Sequence, residues 1–301
     1  MKVVFLGTSS FAVDCLTALL SSKHEVLAVV CQPDKPSGRG NKLTPPPVKV
    51  LAESNGLPVY QFNKIRVEGV ETLKNLKPDV LVVASYGQIL SQEILDIALP
   101  INVHGSLLPE LRGASPIQTA LINGDKETGI TIMKMAYEVD AGDMLIQEKL
   151  SIDENDNAQT LFDKMGKLGG ELLVKALNII ESGKAKFVPQ NHSKATYTRM
   201  LKKDTAEIDF NTTAEEIVNK VRGYYAGPVA YFKYKGENYK VFSAKKVDCC
   251  TSGQNGDILY SDNKNGLIFK CKNGAVEIIE MQAPNSKRIT AKAYFNGKKF
   301  A

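Results

Sequence analysis

Asn102 and His104 stand two positions apart in the stretch 101–118, INVHGSLLPELRGASPIQ, just ahead of a turn-prone Ser106–Pro109 run. Alternate side chains of an extended segment share a face. An amide and an imidazolium at this spacing can therefore both donate hydrogen bonds to one developing oxyanion. A carboxylate beside the histidine would favour its charged form. Asp140, in the tight turn Ala136–Gly142 (AYEVDAG), is the candidate. Such a trio suits attack on a carbonyl carbon. The chain contains no GxSxG-type nucleophile sequence, which favours direct transfer between two bound substrates over a covalent intermediate. Taken singly, the residues have plainer readings: Asn102 as a turn cap, and His104 as a satisfied interior histidine.

Elements must position these groups. Lys2–Leu6 reads as a strand closed by Gly7, followed by a helix over Phe11–Leu20, a strand at Glu25–Cys31, a helix at Val48–Ser54 and a strand at Leu57–Tyr60. A helix at Val67–Lys77 and the apolar strand Asp79–Ala84 continue the alternation, which predicts a Rossmann-like α/β domain with a mostly parallel sheet covered on both faces. The turn after the first strand is not a dinucleotide fingerprint, because Ser9 and Ala12 stand where GxGxxG needs glycine. Ligands are expected at the carboxyl ends of the strands. Pro33–Pro47, PDKPSGRGNKLTPPP, interrupts the pattern with five prolines and two glycines, and predicts a long surface loop without regular structure that presents Lys35, Arg39 and Lys42.

Beyond the central stretch, a helix at Ser115–Asn123, strands at Gly129–Met135 and Asp143–Ile152 and a long helix at Asn157–Glu181 are expected. After a polar segment at Pro189–Asp204 and a helix at Thr213–Arg222, five short runs of period two between Val229 and Met281 are punctuated by Asn-Gly turns. They predict a small C-terminal β-barrel of the oligonucleotide-binding type. The expected division is a catalytic domain over 1–188, a linker over 189–206 and the barrel over 207–301.

Charge separates these parts. Lys plus Arg balances Asp plus Glu, 23 against 23, over residues 1–205, but exceeds it 15 to 10 over 206–301. Gly183–Lys203 adds six cations (Lys184, Lys186, Lys194, Arg199, Lys202 and Lys203) with no acidic residue. A polyanionic partner is implied for the C-terminal part. The start of the chain does not read as a secretory signal, and no apolar run reaches the ~20 residues of a membrane span. Five cysteines without a CxxC pair suit a reducing compartment and argue against a zinc or disulfide framework. A cytoplasmic location is expected, and a monomer, since no apolar helix face is left unassigned.

The order Asn102, His104, SLLP, Arg112–Gly113, then Asp140 within VDAGD resembles the folate-dependent formyltransferases. FLGTSSFA, PSGRGNKLTPPPVKVLA, VHGSLLPELRGASPIQ, ETGITIMKM and the basic C-terminal part are similar to the members of that family that formylate methionyl-tRNA, over essentially the whole chain. The resemblance implies 10-formyltetrahydrofolate as formyl donor, with no metal, and the α-amine of initiator methionyl-tRNA as acceptor. It assigns the oxyanion to Asn102 and protonated His104, and to Asp140 both support of His104 and receipt of the amine proton. It places Ser106, Leu107, Leu108 and Pro109 on the folate, with Val82–Leu90 and Ala136–Asp140 as pterin walls. Arg39 and Lys42 fall in the family's tRNA-reading loop, where Asn41 stands in place of a frequent lysine, a departure that bears on the strength of the contact and not on its existence.

Overall fold

The computed structural model describes residues 1–37, 42–248, 252–296 and 300. Arg39, Asn41, Cys249 and Cys250 lie outside the described residues.

In chain order the first elements are β1 (Lys2–Gly7), α1 (Ser10–Leu20), β2 (Glu25–Cys31), β3 (Lys35–Ser37), β4 (Lys42–Thr44), α2 (Pro47–Ser54) and β5 (Val59–Gln61). Next come α3 (Ile65–Glu68), α4 (Val70–Leu76), β6 (Val80–Ala84), α5 (Gln92–Leu95), β7 (Leu99–His104), β8 (Arg112–Gly113) and α6 (Pro116–Asn123). The strands β9 (Glu127–Lys134) and β10 (Met144–Ser151), the helix α7 (Ala158–Glu181) and the short β11 (Tyr197–Thr198) follow. The chain divides into two compact units.

The first unit comprises residues 1–113, 127–151 and 162–198. Its seven-stranded sheet runs β10-β9-β7-β6-β1-β2-β5. The strands β7, β6, β1, β2 and β5 are parallel neighbours, whereas β9 is antiparallel to both β7 and β10. The sheet is thus mostly parallel, as the βα alternation predicts. β6 is buried at every position, as expected of a strand covered on both faces.

One face of the sheet carries Val103, within reach of Gly169 on α7 together with Phe11 and Cys15 of α1. A Cβ on Gly170 would come 2.7 Å from that of Ala18, so only glycine lets α7 lie this close to α1. The opposite face buries Val4, Leu6, Leu81 and Val83 beneath Ile65, Leu73, Ile94 and Leu95. The single helix expected over Val67–Lys77 is two short helices that meet at Gly69, where the side chain and carbonyl of Ile65 approach too closely for any Cβ.

The 33–47 segment contradicts the expectation of no regular structure. β3 and β4 pair antiparallel, with Lys35 opposite Thr44 and Pro36 opposite Leu43. A two-stranded ribbon consists only of edges, so Pro36 can sit in it without removing a needed ladder hydrogen bond. The base of the ribbon is pinned by Lys49, whose Nζ donates to both carboxylate oxygens of Asp34 and to Gln61 at 3.0 Å.

The second unit comprises residues 114–126, 152–161 and 199–301. After α8 (Ala214–Gly223) come β12 (Tyr231–Tyr234), β13 (Glu237–Val247), β14 (Ile258–Asp262), β15 (Gly266–Cys271), β16 (Gly274–Gln282), β17 (Ile289–Thr290) and α9 (Ala291–Tyr294). The antiparallel sheet has the order β12-β13-β16-β15-β14, with β17 added beside β16. It curls into half a barrel whose ends, β12 and β14, are not paired with each other among the described residues. The capping box between Thr213 and Glu216 starts α8, which buries Ala214, Ile217 and Val221 in a core with Phe232, Val241, Phe269 and Ile278. Among the described residues, no helix is long and apolar enough to cross a membrane.

Candidate active site

β7 carries both Asn102 and His104, and strand alternation turns them to the sheet face opposite α7. Their neighbours in register are Val83 and Met133 beside Asn102, and Thr131 beside His104. His104 is buried, 5% exposed, so its ring nitrogens have to find partners. Nε2 lies 3.1 Å from the carbonyl oxygen of Leu111; a carbonyl can only accept, so Nε2 carries a proton. Nδ1 lies 3.6 Å from Oδ2 of Asp140. That is beyond hydrogen-bond distance but close enough for charge attraction. The side chain of Asn102, by contrast, makes no hydrogen bond among the described residues.

One donor of His104 is committed to Leu111, and only Nδ1 is uncommitted. The carbonyl that engages it is held in place on both sides. Leu111 has φ 57, a conformation disfavoured for a leucine, and its N–H donates to Oγ1 of Thr196 at 2.8 Å. β8 pairs with β11, and Arg112 N–H donates to the Thr196 carbonyl at 2.9 Å. Gly113 has φ 113, and a Cβ there would lie 2.5 Å from the Thr198 carbonyl oxygen.

Asp140 reaches this group from the loop between β9 and β10. Its Oδ2 accepts the Gly113 N–H at 2.7 Å, and its own backbone is left-handed, with φ 53. Asparagine and aspartate tolerate that region better than other side chains. The tight turn read from AYEVDAG is thus where the sequence places it. Gly142 closes the turn so near the Lys134 carbonyl that a Cβ would overlap it.

The SLLP run is built around Thr131. Its hydroxyl donates to the Ser106 carbonyl at 2.6 Å and accepts from Leu108 N–H at 3.1 Å and from Gln147 Nε2 at 2.8 Å. Gln147 Nε2 also lies 2.8 Å from the Leu108 carbonyl. Ser106 and Leu108 are buried, and the Ser106 hydroxyl donates to the Glu110 carbonyl at 2.6 Å. Leu107 and Pro109 are only half-buried. The Leu108–Pro109 peptide is cis. Leu107, Leu108 and Pro109 line a groove of about 590 Å³ with Glu110, Gln147 and Lys149.

Of the segment Val82–Leu90, Val83, Tyr86 and Leu90 belong to the core under the sheet, and the exposed apolar side chain is Ile89. Tyr137 and Val139 are exposed on the Asp140 loop. These two loops thus leave large apolar side chains in solvent. Lys42 is exposed on β4.

Three residues that the sequence did not single out complete the site: Thr131, Gln190 and, in its side-chain role, Arg112. Arg112 is 1% exposed, and its Nε and Nη2 donate to Oε1 of Gln190 at 3.1 and 2.8 Å. Its Nη1 lies 3.6 Å from Glu138. Nothing in the spacing of Gln190 signals this partnership.

Comparison with known proteins places this geometry. The model of the formyl transferase family matches residues 1–177, and that of the formyl transferase C-terminal domain matches residues 200–299. The methionyl-tRNA formyltransferase of Sulfurihydrogenibium sp. (strain YO3AOP1) is 44% identical over 303 residues, covering 99% of this chain and 97% of that protein. That of Bacillus subtilis (strain 168) is 39% identical over 299 residues, covering 98% and 94%. Among solved structures, HypX from Aquifex aeolicus in complex with tetrahydrofolic acid superposes with a TM-score of 0.69 at 18% identity, over 98% of this chain and 47% of HypX. WlaRD, a sugar 3N-formyl transferase, gives a TM-score of 0.69 at 19% identity over 95% of this chain and 99% of its own. These two likenesses concern the fold alone. The chain belongs to the formyl transferase family, in the group whose members are named methionyl-tRNA formyltransferase.

Proposed function

We propose that the protein transfers the formyl group of 10-formyltetrahydrofolate to the α-amine of initiator methionyl-tRNA, and that Asn102, His104 and Asp140 carry the reaction. The observation behind the reading is the combination of near-full-length similarity to methionyl-tRNA formyltransferases with the approach of His104 to Asp140.

When bound, the folate supplies an activated formyl group on N10. Asn102 donates its uncommitted amide to the formyl oxygen as negative charge develops there, a contribution of about 3 kcal/mol for a single oxyanion donor. His104, fixed by Leu111 and protonated at Nδ1, adds a second donor on the same face. Asp140 takes the proton that the amine loses as its nitrogen bonds to the formyl carbon. Return of a proton to N10 completes the transfer when the carbon–N10 bond breaks. Ser106–Pro109 border the folate through their backbone and through Leu107 and Pro109, with Ile89, Tyr137 and Val139 as apolar contacts. The Ser106 hydroxyl serves the loop.

Lys42 on the ribbon, with Arg39, contacts the acceptor end of the tRNA. Lys184, Lys186, Lys194, Arg199, Lys202 and Lys203, all exposed, offer further phosphate contacts. The stretch 207–301 is the tRNA-binding part, and the protein works as a cytoplasmic monomer. The test is a formyl-transfer assay with initiator methionyl-tRNA, elongator methionyl-tRNA, free methionine and an amino-sugar nucleotide as acceptors. Transfer confined to the initiator is expected; preference for the sugar nucleotide overturns the reading.

A further inference from the structure

We infer that Gln190 is a positioning residue for the reaction, acting through Asp140. This rests on the assignment of Asp140 proposed above.

Gln190 is 4% exposed and lies 50 residues from Asp140 in the chain. Its Nε2 donates to the carbonyls of Asp140 at 2.8 Å and Gly142 at 2.7 Å, while its Oε1 accepts from Nε and Nη2 of Arg112. An amide nitrogen has two protons and an amide oxygen two lone pairs, so all four capacities are used. The orientation of the amide is fixed as well: one end faces only carbonyls and the other only a guanidinium.

The consequence is a closed ring. Asp140 Oδ2 accepts from Gly113 N–H; the preceding residue, Arg112, holds Gln190; and Gln190 returns to the carbonyl of Asp140. The carboxylate is thus located from both its side-chain end and its backbone end, in a turn whose backbone is left-handed at Asp140, with φ 53. Neither end of the Gln190 amide bonds His104 or Asn102, and both carbonyls it donates to belong to the turn that carries Asp140. Misplacing a catalytic group by about 1 Å can cost about 100-fold in rate.

The test compares Gln190→Met and Gln190→Glu with wild type, alone and combined with Asp140→Asn. Gln190→Glu keeps the shape and the Arg112 partner but cannot donate to the two carbonyls, so it tests the proposal even where Gln190→Met does not fold. In folded protein each single variant is expected to lose about 10- to 100-fold in kcat, the range set by such a misplacement. KM for the tRNA and the calorimetric Kd for tetrahydrofolate are expected within about threefold of wild type. In the Asp140→Asn background the further loss is expected to be at most about twofold, because coupled residues are not additive. A folded Gln190→Glu enzyme with wild-type kcat overturns the inference, and so does full additivity with Asp140→Asn. Wild-type activity in Asp140→Asn alone would instead overturn the role of Asp140 itself.

Discussion

Nδ1 of His104 lies 3.6 Å from Oδ2 of Asp140, although 36 residues separate them in the chain. The approach depends on two ordered loops. Leu111 fixes the far side of the imidazole and Gly113 N–H fixes the carboxylate, so the gap between ring and acid is set by backbone held elsewhere.

Asn102 is the side chain of the trio that makes no hydrogen bond among the described residues. Asn102→Ala is expected to lower kcat by about 10²- to 10³-fold, the loss of one oxyanion donor, with little change in KM for either substrate. Because its removal breaks no hydrogen bond among the described residues, the melting temperature is expected to stay close to that of wild type. A KM effect without a kcat effect would show that Asn102 binds substrate rather than the transition state.

Thr131 is a hub of three hydrogen bonds beneath the Ser106–Pro109 loop. Thr131→Val keeps the volume but strands the buried Leu108 N–H and Ser106 carbonyl, a cost of about 1–3 kcal/mol for each group left unpaired. Denaturant unfolding is expected to report that loss. Steady-state kinetics is expected to show a raised KM for the folate, with KM for the tRNA nearly unchanged.

Lys42 stands exposed on the ribbon. Lys42→Ala is expected to weaken tRNA binding and to reduce the slope of log K against log salt by about 0.7–0.9, the value for one phosphate contact. The Kd for the folate is expected to be unaffected. Equal loss for both ligands would mean that the ribbon supports the folate pocket.

His24 supplies a pH dependence of stability. It is 5% exposed, and Nδ1 faces the Met1 ammonium at 3.3 Å. Burial first, and the ammonium second, lower its pKa from the usual value. In the unfolded chain the imidazole takes up a proton near pH ~6.5; in the folded chain it does so only at lower pH. The unfolded state therefore binds more protons in this window, and stability is lost as pH falls below about 6.5. His24→Gln is expected to flatten that part of the stability curve between about pH 7 and 5. Parallel curves for the two proteins would contradict the assignment.

Much of this was legible in the sequence. The β-branched runs gave the strands of the sheet, and the alternation of Asn102 and His104 on β7 follows from a period of two. Asp140 was legible because AYEVDAG reads as a turn. What escaped depends on contacts between distant segments. The β3–β4 ribbon was missed because five prolines outweigh pairing in a local reading, yet a ribbon made only of edges accommodates Pro36. Gln190 and Thr131 were missed because a polar residue acquires its role from what the fold brings to it. Leu111 is the same case: nothing local marks a leucine for φ 57, and its partner Thr196 lies 85 residues on in the chain.

In the proposed mechanism, His104 and Asp140 act together on the transfer step. The most direct measurement is single-turnover formyl transfer from 10-formyltetrahydrofolate to saturating initiator methionyl-tRNA, in wild type, His104→Ala, Asp140→Asn and the double variant. Each single variant is expected to lose about 10²- to 10⁴-fold, the range of general acid–base catalysis, with tRNA binding intact and with little further loss in the double variant. Near-normal single-turnover rates in either single variant, or independent losses that multiply in the double variant, would contradict it.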